Sequence, residues 1–544
     1  MLFFDMSDHK IVGGCSTLLA KSNKKMHFSR PDYIPCSRNR IKKCIFRDQG
    51  LVYIKKKLYL CSDFFKHAGM ENVQLIGREQ EKALLLKYGK SKKAEFVAVY
   101  GRRRVGKTFL IKQTLSDSFL FETSGVIQGT RDDQFAAFNQ SLRRIGYIGA
   151  YVKNWMDAFF ALEQTITPRL ESGKRQVIFI DELPCMDVSG TRFVVALGHF
   201  WNSFVTNHPN LMLIVCGSAT SWMVDNIVNN HGGLHNRITH LMHLHPYNLA
   251  QCEQFFRWRE MSWDRLSMLQ AYMIFGGIPY YLSLIEPDES VTDAVDRLLF
   301  SRNGELHDEY NRLFASLFTH PEPYLDIIRT VASHRYGLTR DEIVGILEKS
   351  NGGAISKQLD NLVNSDFLLY HRVRRKKIGK TGGYYTLSDF FVQFYHSFME
   401  AQPNDEHFWA HHISSPQVNT YWGLSYERVC MVHIPQIKKA IGIDQIGTEC
   451  YSWRSNDPEQ RAQVDLLIER ADRIINLCEI KYGTSLYLID KEEDMKFRTR
   501  QGIFVAQTGT RYGIQPTFIT TYGLARGAYA SSIQKSVTMD DLFS

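Results

Sequence analysis

Residues 101–108, GRRRVGKT, fit the pattern G-x-x-x-x-G-K-[S/T], which can bind the phosphates of a nucleotide. Main-chain N–H groups must wrap around phosphate oxygens, so Gly101 and Gly106 provide backbone freedom and close approach. Lys107 supplies a point charge for the β- and γ-phosphates, and Thr108 offers a hydroxyl to Mg²⁺. The residues predicted to contact ATP here are Gly101, Arg102, Arg103, Arg104, Val105, Gly106, Lys107, Thr108 and Phe109.

Two adjacent acids, Asp181 and Glu182, follow the apolar stretch VIFI. At the end of a buried strand, Asp181 can hold the water shell of Mg²⁺. Glu182 can polarise the attacking water as general base. An Asp that caps a helix, followed by a solvated Glu, would place the same two residues here. The phosphate-loop pattern upstream favours a hydrolytic site instead.

Two further positions could complete such a site. Ser218, in LIVCGSAT, follows an apolar stretch and could contact the γ-phosphate or orient water; a helix N-cap is the alternative. Arg237, in GGLHNRIT, could act as an arginine finger within the chain or from a second copy, or could be a solvated arginine. A finger supplied by a second copy would require a homo-oligomer.

Near the C-terminal end, AQVDLLIER and RIINLCEIKYG predict an antiparallel hairpin that turns near Ala471. The turn places Asp465 opposite Glu479, and Lys481 on the same strand face as Glu479. Asp465 and Glu479 are predicted metal ligands, and with Lys481 they form a predicted catalytic set for cleaving a phosphodiester. Glu427, on the preceding helix, could add an acid. An amphipathic hairpin with exposed charges is the alternative.

The elements that position these residues alternate between strands and helices. FVAVY (96–100), VIFID (177–181) and LMLIVCGSAT (211–220) are of strand length, and helical stretches separate them. This alternation predicts an α/β domain with a parallel sheet. A helix precedes the first strand, and Ala83, Leu84 and Leu86 are expected to form its apolar face.

Beyond about residue 245 the pattern becomes mainly helical, and residues 321–400 predict three helices followed by a hairpin, as in a winged helix. Residues 351–367 would form its recognition helix. The wing would carry Arg372, Arg374, Arg375, Lys376, Lys377 and Lys380. Six cations suit contacts to DNA phosphates, although charge also protects an exposed hairpin edge from aggregation.

Bulk composition narrows the class of protein. The 544 residues are 44% apolar and carry a net charge of +9. Residues 1–69 contain 14 Lys/Arg and 5 Asp/Glu, which accounts for that whole excess, so the remainder is not a generally basic, nucleic-acid-binding surface. That segment is either a basic arm or not part of the natural protein, with translation starting at Met70; we favour the second. Neither a signal peptide nor a membrane span is recognisable, so a cytoplasmic location is expected.

Six segments occur in an order that resembles the archaeal-type, AAA-like family of P-loop ATPases: LIGREQEKALLLKY, VAVYGRRRVGKTFLI, VIFIDELP, IVCGSATSWM, HNRIT and FGGIPYYL. The resemblance implies that Gly77, Arg78 and Glu79 lie near the nucleotide base. It also implies that residues 276–279, Gly-Gly-Ile-Pro, belong to a helical lid near the site. The D…ExK set resembles PD-(D/E)xK nucleases, without the proline that often precedes the Asp.

Together these patterns predict four units after the basic segment 1–69. They are a P-loop ATPase core (70–245), a helical lid (246–320), a winged helix (321–400) and an α/β nuclease-like domain (401–544). The predicted function is ATP hydrolysis with Mg²⁺, coupled to a C-terminal half that binds DNA and either cleaves it or binds it without cutting. The alternative is a nucleotide-dependent switch with slow hydrolysis and a non-catalytic C-terminal domain.

Overall fold

A computed structural model of the chain describes residues 74–544, apart from 172, 219, 229–232, 235, 319, 336, 350–351, 373–382, 456, 458 and 460–461. The basic segment 1–69 and the wing residues Arg374, Arg375, Lys376, Lys377 and Lys380 therefore lie outside the described residues, as does the Arg372 side chain. None of the helices described is both long enough and apolar enough to cross a bilayer.

The first part of the described chain forms a five-stranded sheet in which all pairs of neighbouring strands are parallel. Its strands are β1 (Glu95–Tyr100), β2 (Phe119–Ser124), β3 (Gln176–Asp181), β4 (Leu211–Gly217) and β5 (His240–His243). They lie side by side in the order β2-β3-β4-β1-β5. The predicted α/β fold with a parallel sheet is confirmed, with two strands, β2 and β5, that the sequence patterns did not predict.

Helices cover both faces of this sheet, which explains why its central strands are continuous apolar runs. In β1, Phe96 and Ala98 contribute to one core, and Val97 and Val99 to the other. The covering helices are α1 (Glu79–Gly89), α2 (Lys107–Leu115), α3 (Arg131–Arg144), α4 (Trp155–Ile166), α5 (Phe193–Ser203) and the short α6 (Thr220–Met223). The apolar face predicted for α1 was wrong, because Leu85 is its buried residue while Leu84 and Leu86 are exposed.

The strand order determines where functional groups can meet. β1 lies between β4 and β5, so the chain leaves its carboxyl end for the far side of the sheet and later returns beside it. The carboxyl ends of parallel strands share one edge of the sheet, and ligands bind in the crevice outside such a reversal of strand order. The segments that follow β1, β3, β4 and β5 therefore meet at one edge.

The next segment is helical, as predicted. It contains α7 (Leu249–Trp258), α8 (Arg265–Phe275), α9 (Pro279–Ser283), α10 (Val291–Val295) and α11 (Glu309–Leu317). A sharp turn separates α8 from α9, where Gly276 has φ +64°. Gly277 follows in this turn, so close to the Tyr247 main chain that an added Cβ would lie 1.9 Å from the Tyr247 carbonyl oxygen.

Three helices and a small antiparallel sheet come next. Their order along the chain is α12 (Glu322–Ala332), β6 (Leu338–Thr339), α13 (Arg340–Ile346), α14 (Gly353–Asn364), β7 (Leu368–Arg372) and β8 (Gly383–Leu387). β8 pairs with both β6 and β7. α14 ends at Asn364, three residues before the end of the recognition helix predicted over residues 351–367.

The last part combines helices with a mixed five-stranded sheet. The helices are α15 (Phe390–Phe394), α16 (Phe408–His412), α17 (Pro416–Val432), α18 (Ile434–Ala440), α19 (Lys491–Thr508) and α20 (Met539–Leu542). The strands are β9 (Thr448–Arg454), β10 (Gln463–Arg470), β11 (Ile474–Lys481), β12 (Gly513–Thr520) and β13 (Lys535–Val537). β9, β10 and β11 are antiparallel neighbours, whereas β12 and β13 continue the sheet in parallel.

Candidate functional site

The phosphate-loop pattern forms the turn between β1 and α2. Gly101 has φ +145° and Gly106 has φ +91°, both in the region that favours glycine. An added Cβ at Gly101 would lie 2.3 Å from the Leu244 carbonyl oxygen, so only glycine lets the loop start this close to the chain after β5. α2 begins at Lys107, so the positive end of its dipole faces the loop.

Lys107 is buried under this loop. Its Nζ donates to the carbonyl oxygens of Gly101 at 2.9 Å and Arg102 at 3.0 Å. These two bonds satisfy an ammonium group that burial would otherwise penalise. They also keep the charge inside the curve of the loop, where phosphate oxygens would bind.

Thr108, in the first turn of α2, meets Asp181, the last residue of β3. Thr108 Oγ1 donates to Asp181 Oδ2 at 2.8 Å, and Cys216 Sγ in β4 lies 2.6 Å from Asp181 Oδ1. Burial and the neighbouring charge of Glu182 raise the pKa of Asp181. The hydroxyl and the carboxylate supply the oxygen ligands that Mg²⁺ takes in nucleotide sites, so these residues fit that ion. Cys216 was not predicted, and its position within an apolar strand gave no signal for this contact.

Glu182 is held beside this pair in an unusual backbone conformation, with φ +43°. Its Oε2 accepts a hydrogen bond from Ser218 Oγ at 2.9 Å and lies 3.3 Å from the Ser218 main-chain nitrogen. A left-handed conformation is costly for a non-glycine residue and often occurs at functional sites. The carboxylate of Glu182 is therefore oriented by the residue that follows β4.

The three loop arginines use their side chains differently. Arg102 is buried and forms an ion pair with Asp389, with Nη2 2.8 Å from Oδ2. Arg104 pairs with Glu309 at 3.0 Å. Burial raises the pKa of the Cys185 thiol to about 12, and the positive charge of Arg103 opposes that rise. The predicted contact of Arg102 and Arg104 with ATP can thus involve only their main-chain N–H groups in this conformation.

Arg78 connects the segment before α1 to the same loop. Its guanidinium donates to the carbonyl oxygens of Val105 at 3.3 Å and His245 at 2.7 Å, and lies 4.5 Å from the centre of the Tyr247 ring. Tyr247 in turn packs against Gly277 of the predicted lid turn. Arg78 and the lid turn thus meet through Tyr247 beside the phosphate loop, whereas Glu79 is exposed.

Two of the predicted site positions, Arg237 and Phe109, remain. Arg237 is exposed in the turn before β5, where its main-chain nitrogen bonds the Leu234 carbonyl oxygen. Phe109 lies within the first turn of α2 and is partly buried. The structure does not bring the Arg237 side chain into the Thr108–Asp181–Glu182 group.

The C-terminal acids form a second cluster. Leu466 pairs with Cys478, and continuing that register by one residue places Asp465 opposite Glu479. Glu479 is buried and forms ion pairs with Lys481 (3.1 Å) and with Arg500 of α19. Lys481 also contacts Glu493 at 2.8 Å. Arg500 and Glu493 were not predicted, because α19 follows the motif and carries many unrelated charges.

Glu427 of α17 faces the same cluster. Burial and then the negative charge of Asp465 raise its pKa to about 8, and Glu479 adds to the effect. Burial also raises the pKa of Glu479, against the opposing effect of Arg500 and Lys481. Burial and like charge therefore act together on Glu427, whereas Lys481 and Arg500 hold the Glu479 carboxylate.

Comparison with known families agrees with the first site. Residues 75–285 match the family described as an ATPase domain predominantly from Archaea. Over these residues, which include the parallel sheet and the phosphate loop, the chain is similar to archaeal ATPase domains. The family supports ATP binding and hydrolysis as the chemistry of this domain.

The chain also resembles individual archaeal proteins. An uncharacterized protein of Methanocaldococcus jannaschii is 23% identical over 367 residues, covering 67% of this chain and 78% of that protein. A Walker-type ATPase of Pyrococcus abyssi is 18% identical, with a TM-score of 0.38, covering 59% of this chain and 95% of that one. The Aeropyrum pernix ORC2 protein, solved as ADPNP–ADP complexes, is 13% identical with a TM-score of 0.40, covering 66% and 96%.

Proposed function

We propose that the phosphate loop binds Mg·ATP and that Glu182 acts as the general base for its hydrolysis. The observation that supports this proposal most directly is the 2.8 Å contact between Thr108 Oγ1 and Asp181 Oδ2, with Glu182 as the next residue. A motif hydroxyl and a strand-end carboxylate are the groups that hold Mg²⁺ in P-loop enzymes. When bound, that ion would neutralise charge on the β- and γ-phosphates.

The protein's main-chain N–H groups and side chains supply the other interactions that hydrolysis requires. Main-chain N–H groups of residues 101–106 surround the phosphates, and Lys107 adds a fixed positive charge. Glu182 accepts the proton of the attacking water, and Ser218 keeps its carboxylate oriented through the 2.9 Å hydrogen bond. Arg237 would need to move, or to come from a second copy, before it could contact the γ-phosphate.

ATP binding and turnover by the full chain test this proposal. We expect Lys107→Ala to lose Mg·ATP binding, because it removes the ammonium charge of the loop. Glu182→Gln should retain binding but lose hydrolysis by roughly 10²–10⁴-fold, since only the proton acceptor is removed. Retention of ATP by Lys107→Ala at the affinity of the unmodified chain would contradict the proposal.

Hydrolysis could be transmitted to the C-terminal half through the loop arginines. Arg102 reaches Asp389 directly before α15, and Arg104 reaches Glu309 at the start of α11. Movement of the phosphate loop on nucleotide release would therefore disturb contacts with both later segments. This supports the predicted coupling between the ATPase core and the C-terminal units.

For residues 321–400 we retain the winged-helix proposal. The order helix, strand, two helices, then a two-stranded hairpin supports it. Contacts of this unit with the ATPase domain, such as the 3.0 Å ion pair of Lys357 with Asp225, are consistent with the alternative that it serves mainly for packing. ATP turnover measured with and without duplex DNA distinguishes the two roles: stimulation by DNA supports a DNA-coupled enzyme, and indifference supports the nucleotide switch.

A second candidate function, metal-dependent cleavage of DNA, rests on the C-terminal carboxylates. Its specific support is the β10–β11 register, which continued by one residue sets Asp465 opposite the buried Glu479, and the 3.1 Å ion pair of Glu479 with Lys481. Asp465 and Glu479 would hold the metal ion, and Lys481 would stabilise charge on the scissile phosphate.

DNA incubated with Mg²⁺ or Mn²⁺ tests this candidate. We expect Lys481→Ala to abolish cleavage, while Lys496→Ala, which breaks an exposed pair with Glu492 on α19, should retain it. Equal background cleavage by the unmodified chain and by Lys481→Ala would remove the nuclease proposal. The ATPase proposal would be unaffected by that outcome.

A further inference from the structure

A cluster of two histidines and an aspartate lies beside the phosphate loop, outside the groups proposed for ATP hydrolysis. His243 ends β5, His245 follows two residues later, and Asp366 lies in the turn between α14 and β7. One ligand atom from each side chain can be chosen so that all three lie within 4.8 Å of one another. Two imidazoles and one carboxylate form a ligand set suited to a divalent transition metal.

The distances within the cluster fit a bound metal. His243 Nε2 lies 3.3 Å from Asp366 Oδ2, and His245 Nδ1 lies 3.5 Å from Asp366 Oδ1. Ligand atoms placed tetrahedrally at about 2.0–2.1 Å from Zn²⁺ are about 3.3–3.5 Å apart. Each histidine nitrogen therefore lies at this spacing from one oxygen of the Asp366 carboxylate, and the three side chains converge within 4.8 Å.

Two of these atoms form an ion pair without a hydrogen bond of good geometry. His243 Nε2 and Asp366 Oδ2 are buried, and within the described part of the chain neither forms a hydrogen bond of acceptable geometry, although they face each other at 3.3 Å. Buried polar atoms are rarely left in this state in a folded protein. A cation between the lone pairs of the imidazole and the carboxylate would satisfy both atoms.

The surrounding contacts hold the ligands in place. The His243 ring stacks on Tyr100 with centroids 4.6 Å apart, and β1–β5 pairing sets Tyr100 opposite His243. Asp366 adopts φ +61°, and its carbonyl oxygen accepts a hydrogen bond from Ser388 Oγ at 2.7 Å. Asp366 follows the C-cap of α14, where its N–H donates to the Val363 carbonyl oxygen and the Phe367 N–H donates to that of Leu362, so the helix end fixes the backbone that carries the carboxylate.

We infer that His243, His245 and Asp366 bind a divalent transition metal of the Zn²⁺ class, with solvent completing the coordination on the exposed side of His245. The bound ion would join the edge strand of the ATPase sheet to the turn between α14 and β7. Because Tyr100, which stacks on His243, directly precedes Gly101, this metal-mediated link would lie at the base of the phosphate loop. This site uses nitrogen ligands and is separate from the oxygen ligands Thr108 and Asp181 proposed for Mg²⁺.

Zinc titration of the full chain tests this inference. The protein is stripped with a chelator, kept free of nucleotide and Mg²⁺, and titrated with ZnCl₂ by calorimetry. We expect His245→Ala and Asp366→Asn each to bind one equivalent fewer than the unmodified chain. Asp366→Asn is chosen because Asn adopts the left-handed conformation of residue 366 readily, so folding should be preserved.

His411→Ala is the matched control. His411 is 63% exposed and pairs with a single carboxylate, Asp405, while His245 is 61% exposed and pairs with Asp366. Loss of a surface imidazole as such would affect both variants equally, whereas a metal site predicts that only His245→Ala loses an equivalent. Substitution with Co²⁺ should give the visible spectrum of a nitrogen- and oxygen-bound ion, without a thiolate charge-transfer band.

Stability provides a second measurement. Zn²⁺ at a hundredfold excess over its Kd should raise the Tm of the unmodified chain and of His411→Ala by a few degrees. The rise should be absent in Asp366→Asn. Equal Zn²⁺ stoichiometry and affinity in the unmodified chain, His245→Ala and Asp366→Asn would overturn the inference and leave the cluster as an ion-pair network.

Discussion

Arg102, inside the phosphate loop, forms a buried ion pair with Asp389, which lies just before α15. Both side chains are at least 96% buried, with exposed fractions of 2% and 4%. Asp389 Oδ1 also accepts the main-chain N–H of Val392 at 2.9 Å and so caps the helix. Burial raises the pKa of Asp389, and the charge of Arg102 opposes that effect. The nucleotide loop is thereby tied to a segment beyond the lid and the small antiparallel sheet.

Breaking this pair should destabilise the protein strongly. Arg102→Met leaves the Asp389 carboxylate buried without its partner, which typically costs about 3–5 kcal/mol of unfolding free energy. The double variant Arg102→Met/Asp389→Asn should cost less than the sum of the two single variants. Urea unfolding of the four proteins measures the coupling.

The exposed pair of Arg312 and Asp308 provides the control for this cycle. Arg312→Met should change the unfolding free energy by less than about 1 kcal/mol, because solvent screens that pair. Strict additivity of the Arg102 and Asp389 substitutions would show that the buried contact is not energetically coupled.

Ser218 should affect turnover more than nucleotide affinity. Ser218→Ala removes the 2.9 Å hydrogen bond that orients the Glu182 carboxylate, so we expect kcat to fall roughly 10–100-fold. The affinity for Mg·ATP should remain within about twofold, because the phosphate loop is unchanged. Steady-state kinetics and equilibrium nucleotide binding measure the two quantities. Ser203→Ala, in α5 with a hydroxyl bonded to His199, serves as the control and should match the unmodified chain.

Gly277 should not tolerate even a methyl group. An added Cβ would lie 1.9 Å from the Tyr247 carbonyl oxygen, and Tyr247 packs against Arg78 beside the phosphate loop. Gly277→Ala should therefore cost about 3 kcal/mol or more and weaken ATP binding. Gly423→Ala, in α17 with no neighbour within 4 Å of the added Cβ, should be neutral or stabilising by up to about 1 kcal/mol. Thermal unfolding of both variants checks this, and equal Tm values would contradict it.

Acid should destabilise the protein through His433. This histidine is fully buried between α17 and α18: its Nδ1 contacts the Val429 carbonyl oxygen, and its Nε2 accepts the Leu249 N–H. Burial lowers its pKa to about 4, so the unfolded chain binds more protons than the folded chain between about pH 6.5 and pH 4. Its contribution to stability is complete above that window and is lost as the pH falls through it.

The loss attributable to His433 should total about 3 kcal/mol across the window. Urea unfolding at several pH values, compared between the unmodified chain and His433→Gln, isolates this term because other titrating groups are common to both. His411→Gln, at an exposed position, should keep the pH slope of the unmodified chain. An identical slope in His433→Gln would show that this residue is protonated equally in both states.

Motifs made of neighbouring residues could be predicted reliably from the sequence. The glycines at 101 and 106, Lys107 and Thr108 are close along the chain, so local geometry alone places them around a common point. Strands β1, β3 and β4 were predicted because both of their faces are buried and their apolar runs are unbroken. β2 and β5 were missed because β2 has three half-buried positions and one exposed position, and β5 has only four residues, two of them histidines.

The C-terminal hairpin could also be predicted, since a single turn fixes which residues of two adjacent strands lie opposite each other. Its partners Arg500 and Glu493 could not, because they come from a helix whose packing direction is not encoded in the hairpin. The apolar face predicted for α1 was wrong for a related reason. A single leucine, Leu85, faces the core there, and which leucine does so depends on how α1 docks on the sheet.

By itself, the sequence determined that a phosphate-binding loop follows a buried strand and that an acidic pair ends another, because those features reside in runs of neighbouring residues. Only the tertiary structure decided that Arg102 faces Asp389 rather than nucleotide, that Ser218 holds Glu182, and that two histidines meet Asp366. Each of these contacts joins segments far apart in the chain. Their proximity follows from strand order and helix docking, which depend on the summed packing of the whole core and not on any local pattern.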